Sequence, residues 1–231
     1  MPGPALAQTN IFQKGLQALD IFQQDKSEQQ LSNAEVASGL KEALRVGTSR
    51  VVNQLGQKNG FFDDPDVHIP LPENFQKVRS MLEVAGMKKT LDNLELKLNR
   101  AAEIATPKAK ELFWESIRTM TWEDVTSIYN GPDDAATRYF QEKMSGPLAK
   151  AMEPVVNESL AKVGAIETYN RFMGKYTQLP FVPDLHSDLN SYVVTKGMDG
   201  IFLYLARQEA AIRNNPAERT TELLKRVFNR E

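Results

Sequence analysis

The chain has 231 residues, and its 28 Lys plus Arg against 30 Asp plus Glu leave a net charge of -2. A charge this balanced supplies no bulk field for nucleic acid or an anionic membrane, and the absence of cysteine excludes disulfides, thiolate metal sites and cysteine nucleophiles. A hydrophobic share of 41% and a charged share of 25% suit a folded domain rather than a disordered chain.

The first residues read Met1-Pro2-Gly3-Pro4-Ala5-Leu6-Ala7-Gln8. Ala5-Leu6-Ala7 fits the small-x-small cleavage pattern that ends a secretory signal peptide, although the basic and apolar parts that precede such a site are missing. Residues 1–7 are therefore read as a signal-peptide remnant and the chain as exported to the periplasm. With no cysteine there is no lipid anchor. Residues 8–30 are rich in glutamine and read as an N-terminal helical arm. Residues 31–231 read as one helical domain.

Apolar residues three or four apart recur along the rest. Val36, Leu40, Leu44, Val51 and Leu55 set one stripe, Phe75, Val78 and Leu82 a second, and Leu91, Leu94, Leu98, Ala102 and Ala105 a third. Helices are predicted over 10–23, 33–57, 73–85, 89–105, 107–120, 122–130, 133–144, 147–163, 165–178, 185–214 and 216–229. Ser32-x-x-Glu35 and Thr121-x-x-Asp124 have the form of capping boxes. Thr106-Pro107 and Asn215-Pro216 read as helix starts with proline in the first turn. Gly60, Gly86, Gly131 and Gly164 read as left-handed stops. Val67 to Leu71 alternates like a strand, but Pro70 demotes it to an extended loop. No apolar run approaches the length of a membrane span.

Tyr192 to Ala206 is apolar on nearly every side, which places the 185–214 helix in the interior of an all-α, compact multi-helix bundle. Gly197 and Gly200 lie within it, each costing about 1 kcal/mol against alanine, so another helix is expected to approach closely there, the alternative being a ligand lying against the bare backbone of the two glycines. Asp199 falls in the same stretch with Lys196 one turn before it. A buried carboxylate needs a partner, so the two read as a polar anchor or ligand-binding pair.

Most chemical signatures are absent: no glycine-rich phosphate loop, no His-Glu-x-x-His and no nucleophile elbow. No cofactor is implied. Asp63, Asp64, Asp66 and His68 could supply oxygen and imidazole ligands to a divalent cation. Their plainer reading is a turn whose Asp side chains satisfy loop backbone, with His68 packed on an aromatic. His186 reads as surface or cap chemistry. Glu95, Asn99 and Glu103 share a helix face at i, i+4 and i+8. Paired carboxylates there could do acid–base work if buried, but a solvated face is the simpler expectation. Glu209 and Arg213 form an i, i+4 pair worth a few tenths of a kcal/mol. Arg219, Lys225, Arg226 and Arg230 make the last helix basic and amphipathic, with its apolar stripe packed on the body.

Several blocks resemble a known bacterial family. They are LSNAEVASGLKEAL (31–44), HIPLP (68–72), LNRAAEIATPKA (98–109), GPDDAATRYF (131–140), YVVTKGMDGIF (192–202) and EAAIRNNPAERTTELLKRVF (209–228). In this order they are similar to the family catalogued as domain of unknown function 4197. The resemblance implies a single helical domain and an exported protein, since members commonly carry a signal peptide or a lipoprotein signal. It implies no activity and carries over no functional residues. Together with the missing catalytic motifs it favours a non-enzymatic binding or interaction protein, whose partner is a protein or a small apolar ligand. The alternatives are an enzyme drawing on Asp199, Glu103, Asp64 or His68, and a cation-binding protein using the 63–68 loop.

Overall fold

Ser32 opens the first helix as its sequence predicts: its hydroxyl accepts from the Glu35 amide, and the Glu35 carboxylate accepts in return from the Ser32 amide at 2.9 Å. The computed structural model describes residues 32–179 and 187–228. The expectations for residues 1–30 and for His186 lie outside them. Among the described residues there are eight α-helices and no strand. They are α1 (Asn33–Leu55), α2 (Glu73–Val84), α3 (Lys88–Thr119), α4 (Trp122–Asn130), α5 (Ala135–Lys162), α6 (Ala165–Tyr176), α7 (Leu189–Asn214) and α8 (Glu222–Phe228).

The protein is an all-α bundle, as the periodicity requires. The long helices α3 and α5 pack along each other, and α7 lies across α5, α1 and α3. Phe113 of α3 meets Phe140 of α5 and Phe202 of α7 edge-on, with ring centroids 5.4 and 6.1 Å apart. This geometry adds about 0.5–1.5 kcal/mol per pair to the burial of the rings. At one end, Phe75 of α2 packs against Phe172 of α6 at 5.4 Å. At the other, α8 lies on α1, where Val227 fills the space left by Gly39.

Two predicted breaks between helices are corrected. Thr106-Pro107 does not open a helix: α3 runs through it, and Thr106 turns its hydroxyl back onto the Ala102 carbonyl at 2.8 Å. The Pro107 ring instead packs where α1 ends, and a side chain at Gly56 would meet it at 2.9 Å. The segments 133–144 and 147–163 are likewise one helix, α5, containing both Pro147 and Pro154. The two prolines are seven residues apart on the exposed face, where carbonyls freed by the missing N–H groups meet solvent rather than core.

The last predicted helix is also shorter. Asn215 accepts from Ala217 and starts a single tight turn at Pro216–Glu218, after which α8 begins at Glu222. Arg219 falls before α8 and is buried, donating to the carbonyls of Ile212 and Arg213 at the end of α7. Of the four glycine stops, Gly86 and Gly164 are left-handed, with φ of 77° and 72°. Gly131 is extended, and near Gly60 it is Asn59 that takes the positive φ.

Candidate functional site

Residues 56–72 join α1 to α2 without a helix, so their backbone needs partners from elsewhere. Phe61, Val67, Ile69 and Leu71 bury their side chains, which draws that backbone inside. The face of α3 carrying Glu95, Asn99 and Glu103 receives it.

Glu103 is 3% exposed; one of its oxygens accepts from the amides of Phe61 and Phe62, both at 3.2 Å. Its other oxygen takes Arg100 at 2.6 Å. Arg100 in turn donates to Asn59 and lies over the Phe62 ring. Asn99 is fully buried and pairs with both backbone groups of Ile69, accepting from the amide at 2.9 Å and donating to the carbonyl at 2.8 Å. A strand neighbour would make the same two bonds. Glu95 accepts from the Leu71 amide and from Arg79, at 3.3 and 3.4 Å. The expectation of a solvated face is therefore overturned at Asn99 and Glu103: the ladder is a clamp, and the loop is its load.

His68 sits inside this clamp. Its Nδ1 lies 2.8 Å from the Phe62 carbonyl oxygen and its Nε2 lies 3.0 Å from Glu95. Both ring nitrogens thus lie against oxygens of the protein itself. The ring also packs on Phe62, with centroids 5.5 Å apart.

The remaining residues of the predicted cation loop point to separate partners. Asp64 accepts from the Asp66 amide and from the Tyr204 hydroxyl, and that bond, with burial and the Asp64 charge, raises the pKa of Tyr204. Asp66 pairs with Arg207 at 2.6 Å. Asp63 is exposed at the rim of an open depression of about 440 Å³. Among the described residues, no three His, Asp or Glu side chains converge to hold a metal ion. Asp63, Asp64, Asp66 and His68 thus do not form a ligand set.

The pair on α7 differs from its expectation as well. Asp199 is 65% exposed and lies 3.9 Å from an exposed Lys196, so it is a surface ion pair rather than a buried anchor. The apolar sides of α7 are turned inward and the charged residues of the same stretch outward. Gly200 faces inward, but what approaches it is the 56–72 loop, not a helix. A Cβ there would lie 2.9 Å from the Phe61 ring and 3.2 Å from Val67. Gly197 looks towards Ala102 of α3 at 4.0 Å, beside a void of about 10 Å³.

Sequence reasoning also underrated Glu209 and Arg213. Glu209 is buried and Arg213, 2.9 Å from it, is largely covered; together they bridge two helix ends. Glu209 accepts from the amides of Ala136 and Thr137, each at 2.9 Å, and so caps α5 from a distance. Arg213 donates to the carbonyls of Ile128 and Tyr129 at the end of α4. Carboxylate at a helix N-terminus and guanidinium at a C-terminus are both favoured by the helix dipoles. A small cavity of about 30 Å³ adjoins this pair, lined by Leu40, Phe140, Leu205, Ile212 and Phe228, with the Thr48 hydroxyl on its wall lacking a partner.

The fold and these networks define a helical protein whose buried polar groups hold a loop and helix ends in place. The family profile described as protein of unknown function (DUF4197) matches residues 30–229, and the chain belongs to that family. No curated protein and no solved structure matches it. No described helix is long and apolar enough to cross a membrane.

Proposed function

We propose that this chain is an exported, non-enzymatic interaction module of the bacterial periplasm. The observation that carries the reading is how little space the described helices leave between them beside the core. Among the described residues, two cavities between the helices measure about 30 and 10 Å³. The larger has the volume of one or two water molecules, and the unpartnered Thr48 hydroxyl on its wall suits water. An apolar ligand between the helices is therefore not favoured. The enzyme reading lacks support for a different reason: Glu103 and Glu209 face backbone amides and arginines, and His68, Asp64 and Asp199 each face their own partner. The larger recesses are open grooves on the surface, which suits contact with another macromolecule. Export rests on Ala5-Leu6-Ala7 and on the family resemblance.

The test is cross-linking in intact cells of the native host, followed by fractionation and native mass spectrometry. The expected result is a chain in the periplasmic fraction, in covalent adduct with a protein and with no stoichiometric lipid or metal. Retention in the cytoplasm with residues 1–8 intact overturns the export part. A stoichiometric small ligand that survives purification overturns the interaction part.

A further inference from the structure

An open groove of about 700 Å³ runs along the outer face of α1, from Ser38 to Asn53, and Trp114 of α3 forms its far wall. Two cations lie over the Trp114 ring. The Arg45 guanidinium carbon is 4.6 Å from the ring centroid and the Lys110 ammonium is 4.5 Å from it.

Arg45 is unusual in this molecule. Nine other described arginines, Arg50, Arg79, Arg100, Arg118, Arg138, Arg171, Arg207, Arg213 and Arg226, each have a carboxylate within reach. Arg219 is bonded to carbonyls. Arg45 alone among the described arginines has neither, although it is exposed and the chain as a whole is slightly acidic. Lys110 has no carboxylate partner among the described residues either. Lys41, also in the groove, donates to the carbonyls of Arg118 and Met120 and is matched by no acid. Glu42 is the one carboxylate on the groove wall. The indole N–H of Trp114 is shielded from solvent and has no acceptor. A buried donor without an acceptor is rare in a finished structure.

We propose that this groove is a docking site for an acidic segment of a partner protein, an inference that rests on the interaction reading above. Carboxylates are the complement of Arg45 and Lys110, and Arg binds them through two parallel hydrogen bonds. Tryptophan and arginine are also the residues that most often carry the energy of a protein interface. The groove follows α1 from Ser38 to Asn53, about 22 Å at about 1.5 Å of rise per residue, and it is open to solvent. That shape receives a peptide segment and does not enclose a small molecule.

Trp114 and Trp122 are the two tryptophans of the chain, so in full-length Trp122→Phe protein Trp114 is the sole indole reporter. An acetylated hexaglutamate peptide is titrated at low salt, with hexalysine as the control. Expected are a saturable change in Trp114 emission with hexaglutamate, no change with hexalysine, and weakening as salt rises. Arg45→Glu/Lys110→Glu lowers the hexaglutamate affinity at least about tenfold and gains hexalysine binding, while Lys150→Glu/Lys175→Glu changes neither. Circular dichroism confirms that each variant is folded. No saturable response to hexaglutamate, or a response unmoved by Arg45→Glu/Lys110→Glu, overturns the proposal. A double variant that turns a dimer into a monomer in sedimentation also overturns it, because the occupant is then a second copy. If the partner cross-linked in cells is retained by the double variant, the interaction reading stands and this docking site falls.

Discussion

Asn99 offers the sharpest test of the clamp. Its side chain makes three hydrogen bonds at full burial: from the Ile69 amide, to the Ile69 carbonyl and to the Glu95 carbonyl. Asn99→Asp preserves the shape and the first bond. It replaces the amide N–H groups with an oxygen facing two carbonyl oxygens. Two hydrogen bonds are lost, at about 0.5–1.5 kcal/mol each, and a charge is buried without a partner, at several kcal/mol more. The sum predicts a loss of about 3–5 kcal/mol at neutral pH. Burial raises the folded-state pKa of the new carboxyl above its unfolded value near 3.9, so the neutral form is the one the fold accepts. The penalty from burying charge is therefore absent below about pH 4 and grows as the pH rises through the folded-state value. Asn99→Ala leaves two buried Ile69 groups unsatisfied, at about 1–3 kcal/mol each, with no such pH dependence. Urea denaturation of the three proteins between pH 4 and 8 measures both effects. A loss below about 1 kcal/mol for Asn99→Asp, or a loss that does not vary with pH, refutes the account of Asn99 as a buried substitute for a strand neighbour.

The glycines of α7 should separate. Gly200→Ala drives a Cβ into the buried Phe61 ring and is expected to lose about 1–3 kcal/mol. Gly197→Ala has 4.0 Å of room and gains up to about 1 kcal/mol from helix propensity; urea midpoints with the signs reversed would contradict the packing. Glu209→Gln uncaps α5 and leaves Arg213 buried without its carboxylate, so a loss of about 3–5 kcal/mol is expected in the same assay, and a loss under 1 kcal/mol sinks the bridge. In acid, the helix caps should fail together. Hydrogen bonds from Ser32, Thr121 and Ser191 at three helix starts hold Glu35, Asp124 and Asp188 below their ordinary carboxylate values. A depressed folded-state pKa gives stability that is complete above the unfolded value and is lost as the pH falls through the folded one. The urea midpoint should therefore drop from about pH 4 downward, and Asp124→Asn/Asp188→Asn should flatten that drop.

What could be read from residues alone follows the range of the interaction. Ser32 with Glu35 and Thr121 with Asp124 act across three residues, so their spelling suffices to place a helix start. The apolar stripes of α1, α3 and α7 also repeat locally. Pro107 misled because its reason is distant: its ring fills the end of α1 at Gly56, and nothing beside it in the chain records that contact. Glu95, Asn99 and Glu103 misled in the same way. A polar residue every four positions opposite a leucine stripe looks solvated, and what covers it begins thirty or more residues earlier. One signal was available. Residues 58–72 contain Phe61, Val67, Ile69 and Leu71, which must bury, and a buried loop needs acceptors for its amides. A polar ladder on a helix is a ready source. Asp199 failed for a simpler reason: an apolar average over a segment does not say which side a single residue takes.

Glu103 and Glu209 share a design that bears on function. Each stands on a long helix, accepts from two consecutive amides of a distant segment, and has an arginine three or four residues away on its own helix. Phe61 and Phe62 supply the amides in one case and Ala136 and Thr137 in the other. A carboxylate so placed has its oxygens turned to fixed donors, which suits anchoring. The two buried acids among the described residues thus hold a loop and a helix start. The cations left over are then the informative groups. Nine of the other ten described arginines are matched by a carboxylate, so Arg45 beside Trp114 is the group on which the proposed docking site turns.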